Sequence, residues 1–130
     1  NLQDAFQLKS HIFESIYIEN LGEGNFSLKH LPNEAQTGPT MSLISGDFNE
    51  DNKLDIMGIG AIYDAEVETI RYDSNYGYVL LGDNEGNFVY SKEYEPFIDS
   101  DSKDLEKIII NGKDYYLVVS NNDLLSIFNY

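Results

Sequence analysis

The chain has 130 residues, enough for one domain with a real core and short for two. Eight basic residues against 23 acidic ones leave a formal charge of −15. That charge repels phosphate backbones and anionic lipid, so the composition speaks against nucleic acid as a partner and against binding at a membrane surface. Cysteine is absent, which removes disulfides, thiolate catalysis and Cys-based zinc sites.

Asn1 to Lys9 spaces Leu2, Ala5, Phe6 and Lys9 for one face of a short helix. His11 to Asn20 alternates as a strand, with Ile12, Ile16 and Ile18 on one side. A Gly-rich turn, Leu21 to Asn25, leads to a return strand over Phe26 to Leu31, and Pro32 to Pro39 has the composition of a loop. Strand, loop and strand then follow from Met41 to Ile62, and Tyr63 to Tyr76 is a polar, aromatic excursion. Gly77 to Leu81 and Phe88 to Glu93 are strands across a turn, and Glu95 to Lys103 is an acidic loop. Leu105 to Ile110 and Tyr115 to Ser120 form a hairpin across Asn111-Gly112, a strong type I′ signal, before a last strand at Leu124 to Tyr130. No apolar run approaches the ~20 residues that span a bilayer, so no membrane insertion is expected. The chain begins at Asn1 without a signal-peptide pattern, and we expect a mature or excised piece of a longer protein.

The segment Asp47 to Asp55 carries the chemistry. Oxygen side chains stand at its first, third, fifth and ninth places (Asp47, Asn49, Asp51, Asp55), and the Lys53 carbonyl occupies the seventh. Calcium accepts six to eight oxygen ligands in flexible geometry, so a tight loop of this kind suits it better than magnesium or zinc. Asn52 stands where calcium loops usually carry glycine, and asparagine tolerates the positive φ that the place requires. The pattern is not an EF-hand. Gly58 occupies the twelfth place, where a bidentate Glu is needed, and the flanking runs read as strands. Two readings stay open here: a calcium loop joining two strands, and an acidic β-turn without a metal.

Glu23-Gly24-Asn25-Phe26 returns as Glu85-Gly86-Asn87-Phe88, each time on a strand–turn–strand. The expected fold is therefore all-β, with two four-stranded antiparallel units resembling propeller blades. Repeat one covers about 11–76, including the loop at 47–55 and the excursion at 63–76. Repeat two covers about 77–130 and has no carboxylate ladder. Two blades cannot close a ring, so the partners expected are further blades of a longer chain or a second copy meeting an open sheet edge.

Ser45 to Ile56, followed by Val79-Leu80-Leu81-Gly82-Asp83-Asn84-Glu85-Gly86-Asn87-Phe88, resembles the FG-GAP/VCBS repeat of integrin-α-like β-propellers. The LPNEAQ, EVETIRYD and YGYVLLGDNEGNF stretches look like the C-terminal region of large bacterial VCBS-repeat proteins of the UnbV-related group. The resemblance covers most of residues 16 to 128. It implies calcium ligation by Asp47, Asn49, Asp51, Asp55 and the Lys53 carbonyl, and a secreted, periplasmic or cell-surface location. Glu50 and Asn52 depart from the usual glycines and Asn49 from an aspartate, which lowers the expected affinity.

The function expected is non-catalytic: a calcium-stabilised repeat module for protein or glycan recognition, adhesion or scaffolding. Tyr63, Glu66, Glu68, Arg71, Tyr72 and Asp73 form the candidate contact surface, because Tyr and Arg are enriched at interface hot spots. The alternative is a hydrolytic, carbohydrate-active fragment using loop carboxylates such as Glu66 and Glu68. Two residues apart on a strand, these would share one side and stand too close to flank a scissile bond unaided. His11 and His30 have no metal-ligand spacing, and no nucleophile-elbow motif is present.

Overall fold

Nine strands in three antiparallel sheets make up the computed structural model, which describes residues 6–130. β1 (Ile16–Gly22) and β2 (Asn25–His30) form a two-stranded sheet. β3 (Ser42–Gly46), β4 (Asp55–Ile59), β5 (Tyr78–Gly82) and β6 (Phe88–Tyr90) form a four-stranded one in sequence order. β7 (Ser102–Ile110), β8 (Lys113–Ser120) and β9 (Ser126–Phe128) form a three-stranded one. The fold is all-β, none of the sheets closes, and the described residues contain no α-helix.

The grouping differs from two four-stranded units. β4 pairs with β5 through Ile56↔Leu80, Met57↔Val79 and Gly58↔Tyr78, so hydrogen bonding runs across the 76/77 division drawn from the repeated turn. The first hairpin stays a separate two-stranded sheet, and the last sheet holds three strands. Residues 6–9 of the expected N-terminal helix carry no helix, and residues 1–5 lie outside the described ones. β1 starts only at Ile16, and at Ser15, just before it, the Gln36 side chain takes the amide and shares the carbonyl with the Leu31 amide. Gln36 accepts from the Ser15 amide at 2.7 Å and donates to the Ser15 carbonyl at 2.8 Å. Gln36 closes a short 3-10 turn, Asn33–Gln36, inside the expected loop, and that turn buries Ala35.

The two inner strands of the central sheet, β4 and β5, are covered on both faces, which explains their nearly unbroken apolar runs. One face presents Met57, Ile59 and Val79 to Leu105, Tyr116 and Val118 of the three-stranded sheet, with Phe48 and Ile98 completing that core. The opposite face presents Tyr78 and Leu80 to Ala35, with Leu31, Ile56, Phe88 and Tyr90 at its margin. Ser42 ties the two larger sheets together, donating from Oγ to Asp104 Oδ1 at 2.9 Å. The β7–β8 turn is the two-residue type read from Asn111-Gly112, with φ of 53° and 77°. Among the described residues no helix is long and apolar enough to cross a membrane.

Candidate functional site

The loop between β3 and β4 is built by its own acidic side chains. Asp47 Oδ1 and Asn49 Oδ1 both accept from the Asp51 amide, at 3.0 and 3.1 Å. Asp47 Oδ2 accepts from the Asn52 amide at 2.8 Å, and Asp51 Oδ1 from the Lys53 amide at 2.9 Å. These are Asx-type contacts, in which a short side chain bonds backbone a few residues on and bends the chain into a turn. The bend requires positive φ at Glu50 (60°) and Asn52 (64°), the two positions where calcium loops usually carry glycine.

Asp55 behaves differently from the other three. It opens β4, is fully buried, and accepts from the Phe48 amide through Oδ2 and the Gly82 amide through Oδ1, each at 2.9 Å. It therefore closes the base of the loop and anchors β5 beside it. Asp47, Asn49 and Asp51 remain at the mouth, where the Lys53 ammonium lies 3.2 Å from Asp51 Oδ2. Burial works against the Asp51 carboxylate, but hydrogen bonds from Asn49 and Lys53 outweigh it and hold its pKa below the usual value. Among the described residues, no three His, Cys, Asp or Glu side chains gather into one ligand cluster.

A second Asx turn lies beside the first. Asp83 accepts from the Glu85 and Asn87 amides at 2.7 and 3.0 Å, and also from the Asn87 side-chain amide at 2.5 Å. These bonds, that of the Asn87 side chain foremost, lower the Asp83 pKa. Asn84 Oδ1 accepts from the Leu54 amide at 3.1 Å and so couples this turn to the end of the first loop. The β1–β2 hairpin docks here as well. Lys29 donates to the Glu85 carbonyl and to Asn87 Oδ1, and Tyr17 meets Phe88 edge-on with ring centroids 5.4 Å apart.

The excursion at 63–76 folds back on itself through one bridge, Ile62↔Tyr72. Arg71 stacks over the Tyr63 ring, 4.7 Å from its centroid, and the Tyr63 hydroxyl donates to Asp99 at 3.4 Å. Arg71, Tyr72, Asp73, Glu66 and Glu68 are exposed and Tyr63 is half-buried. Glu66 and Glu68 flank the exposed Val67 on a turn in which the Thr69 amide donates to the Glu66 carbonyl at 2.8 Å.

One residue at the foot of this excursion escaped the sequence reading. Asp101 lies in the stretch read as acidic loop, yet it is buried and accepts from Tyr63 N (3.1 Å), Lys103 Nζ (2.6 Å) and Asn121 Nδ2 (3.3 Å). Lys103 stands only two residues on, but the Tyr63 amide and the Asn121 side chain come from distant segments, so nothing local marks its burial. Burial alone would raise its pKa, but the bonds from Lys103, the Tyr63 amide and Asn121 lower it overall. A carboxylate whose folded pKa is depressed stabilises the fold fully above the unfolded value, and that contribution disappears as the pH falls through the folded pKa. Asp101→Asn is therefore expected to cost about 1–3 kcal/mol at pH 7. Chemical denaturation of the two proteins should show this gap narrowing steadily below about pH 4.

Compared with protein-family models, with curated proteins and with solved structures, the chain matches none.

Proposed function

We propose that the chain is a non-catalytic, calcium-stabilised β-sheet module of propeller type, from a secreted or surface protein, that serves recognition of a protein or glycan. The observation that carries this reading is the shared Asp51 amide, which brings the oxygens of Asp47 and Asn49 onto one point of the loop. With Asp51 beside them, the mouth offers only hard oxygen donors, the set that calcium prefers.

Each carboxylate oxygen has lone-pair capacity beyond one amide bond, so the loop's internal hydrogen bonds and an ion are compatible. Asp47, Asn49, Asp51 and the Lys53 carbonyl would hold the ion. Asp55 would offer it only the lone pairs left by Phe48 and Gly82. The ion would stiffen the loop and, as a like charge, would displace the Lys53 ammonium from Asp51. The sequence order of the four-stranded sheet, β3-β4-β5-β6, makes it an antiparallel meander, an arrangement that propeller blades also have, and supports the same reading. The exposed 63–76 face, with Arg71 and Tyr72, is the proposed contact surface for a partner.

Thermal melting in EDTA and in a calcium titration tests the metal. With one carboxylate replaced by Asn49, a dissociation constant of ~10⁻⁴–10⁻³ M is expected. A few millimolar calcium should then add about 1–2 kcal/mol, raising Tm by about 4–10 °C. Asp51→Ala should remove that rise. A melting curve indifferent to calcium would leave the loop as an acidic turn.

A further inference from the structure

The turn sequence that occurs twice in the chain is held differently in its two copies. In Glu85-Gly86-Asn87-Phe88 the asparagine is locked into its turn. Its side-chain amide donates to Asp83 Oδ2 at 2.5 Å, and its Oδ1 accepts from Lys29 at 3.3 Å. Asp83 stands four places before Asn87, and the residue four places before Asn25 is Leu21. The carboxylate that fixes Asn87 therefore has no counterpart at Asn25.

The first turn is also open where the second is packed. A Cβ added at Gly86 would run into the Tyr17 ring at 2.7 Å, whereas one added at Gly22 or Gly24 would meet nothing within 4 Å. Gly22, Glu23 and Gly24 all take positive φ (85°, 52° and 79°), and residues 21–26 are exposed without a break. Asn25 itself ends the β1–β2 ladder, opposite Gly22. A bulky group on its side chain would extend into solvent and displace no packed residue.

Two places after the asparagine the copies diverge again, with Val89 in the second and Ser27 in the first. Asn25-Phe26-Ser27 is thus an Asn-x-Ser acceptor for N-linked glycosylation without proline in the middle, and the chain contains this pattern once. Bacterial enzymes of this class ask in addition for an acidic residue two places before the asparagine, and Glu23 stands there.

We propose that Asn25 carries an N-linked glycan. The donor is an oligosaccharide joined through pyrophosphate to a membrane lipid, and the catalyst is an oligosaccharyltransferase. Asn25 Nδ2 attacks the anomeric carbon, and the new N–C bond forms as the bond from that carbon to the pyrophosphate oxygen breaks. The lipid pyrophosphate leaves with the electron pair, and Nδ2 gives one proton to a base of the enzyme. Ser27 supplies the hydroxyl that the enzyme reads, yet in the fold it is half-buried and pairs with Glu19. Transfer therefore precedes the pairing of β1 with β2, a two-stranded hairpin that is marginal until it docks. The assignment rests on the reading of a secreted or surface protein, because transferases of this class act outside the cytosol.

The full chain, exported into a bacterial periplasm furnished with an oligosaccharyltransferase and its lipid-linked oligosaccharide, tests the site by intact mass and peptide mapping. One glycan per chain is expected, on the peptide that holds Asn25 and not on the one that holds Asn87. Asn25→Gln and Ser27→Ala should each abolish it, and Ser27→Thr should retain it. An exported wild-type chain without a glycan, or a glycan that survives Asn25→Gln, would overturn the proposal. The same mapping on native protein from fractionated source cells separates the two readings. Native protein outside the cytosol and bare at Asn25 would overturn the glycan alone. Native protein in the cytosol would overturn the secretion reading and the glycan with it, even where the exported chain is modified.

Discussion

Asp55→Ala is expected to lower Tm by about 10–20 °C, the largest loss from any single carboxylate among the described residues. Asp55 is fully buried and its two oxygens each accept one backbone amide, Phe48 from the loop and Gly82 from β5. Truncation leaves both amides without a partner in a site closed to water. Lost charge-assisted bonds and stranded donors together should cost about 3–5 kcal/mol. Asp55→Asn keeps the shape but turns an NH2 donor toward one of those amides, so it should recover only part of the loss. Urea denaturation in EDTA is the deciding measurement, because it removes any metal contribution. A loss in EDTA close to that in calcium would show that Asp55 acts through the backbone. A loss seen only in calcium would show that its main role is ligation.

Gly82→Ala is expected to cost more than ~3 kcal/mol, for a different reason. Gly82 ends β5, pairs with Phe88 of β6 and donates to Asp55. A Cβ there would overlap the Leu54 carbonyl oxygen, which is backbone and has no rotamer through which to retreat. Relief would require β5 to move off β4, disturbing the Asp55 bond and the Leu54–Asn84 contact together. Gly112→Ala serves as the control. Its φ of +77° makes an alanine strained, but a Cβ there meets nothing within 4 Å, so the cost should stay near 1 kcal/mol. Gly82 itself has an ordinary strand φ, so equal losses in the two variants would mean that the Leu54 carbonyl gives way and that close approach does not explain Gly82.

Local features of the chain were legible in the sequence because neighbouring residues suffice to specify them. Asn111-Gly112 supplies the two positive φ values of a tight hairpin turn without help from elsewhere. The Asp47–Asp55 segment bends through bonds internal to it, the longest running from the Phe48 amide to Asp55, and Asn52 takes the positive φ expected of it. The short apolar runs on either side become β3 and β4, and the strand-rich composition becomes an all-β fold.

Features that depend on distant partners were not legible. Gly77 to Leu81 reads as an apolar strand whichever neighbour it takes, so the repeated turn invited a boundary before it. The two-sided burial of β4 and β5 binds it to the earlier strands instead. Asp101 is singled out by Tyr63, Lys103 and Asn121, which come together only when the 63–76 excursion folds against β7 and β8. Asp55 stands at the last place of a ligand pattern, and nothing near it in the chain points to Gly82, 27 residues onward. Only the pairing of β4 with β5 brings that amide to its carboxylate, and a buried charge takes the partners that the fold presents to it.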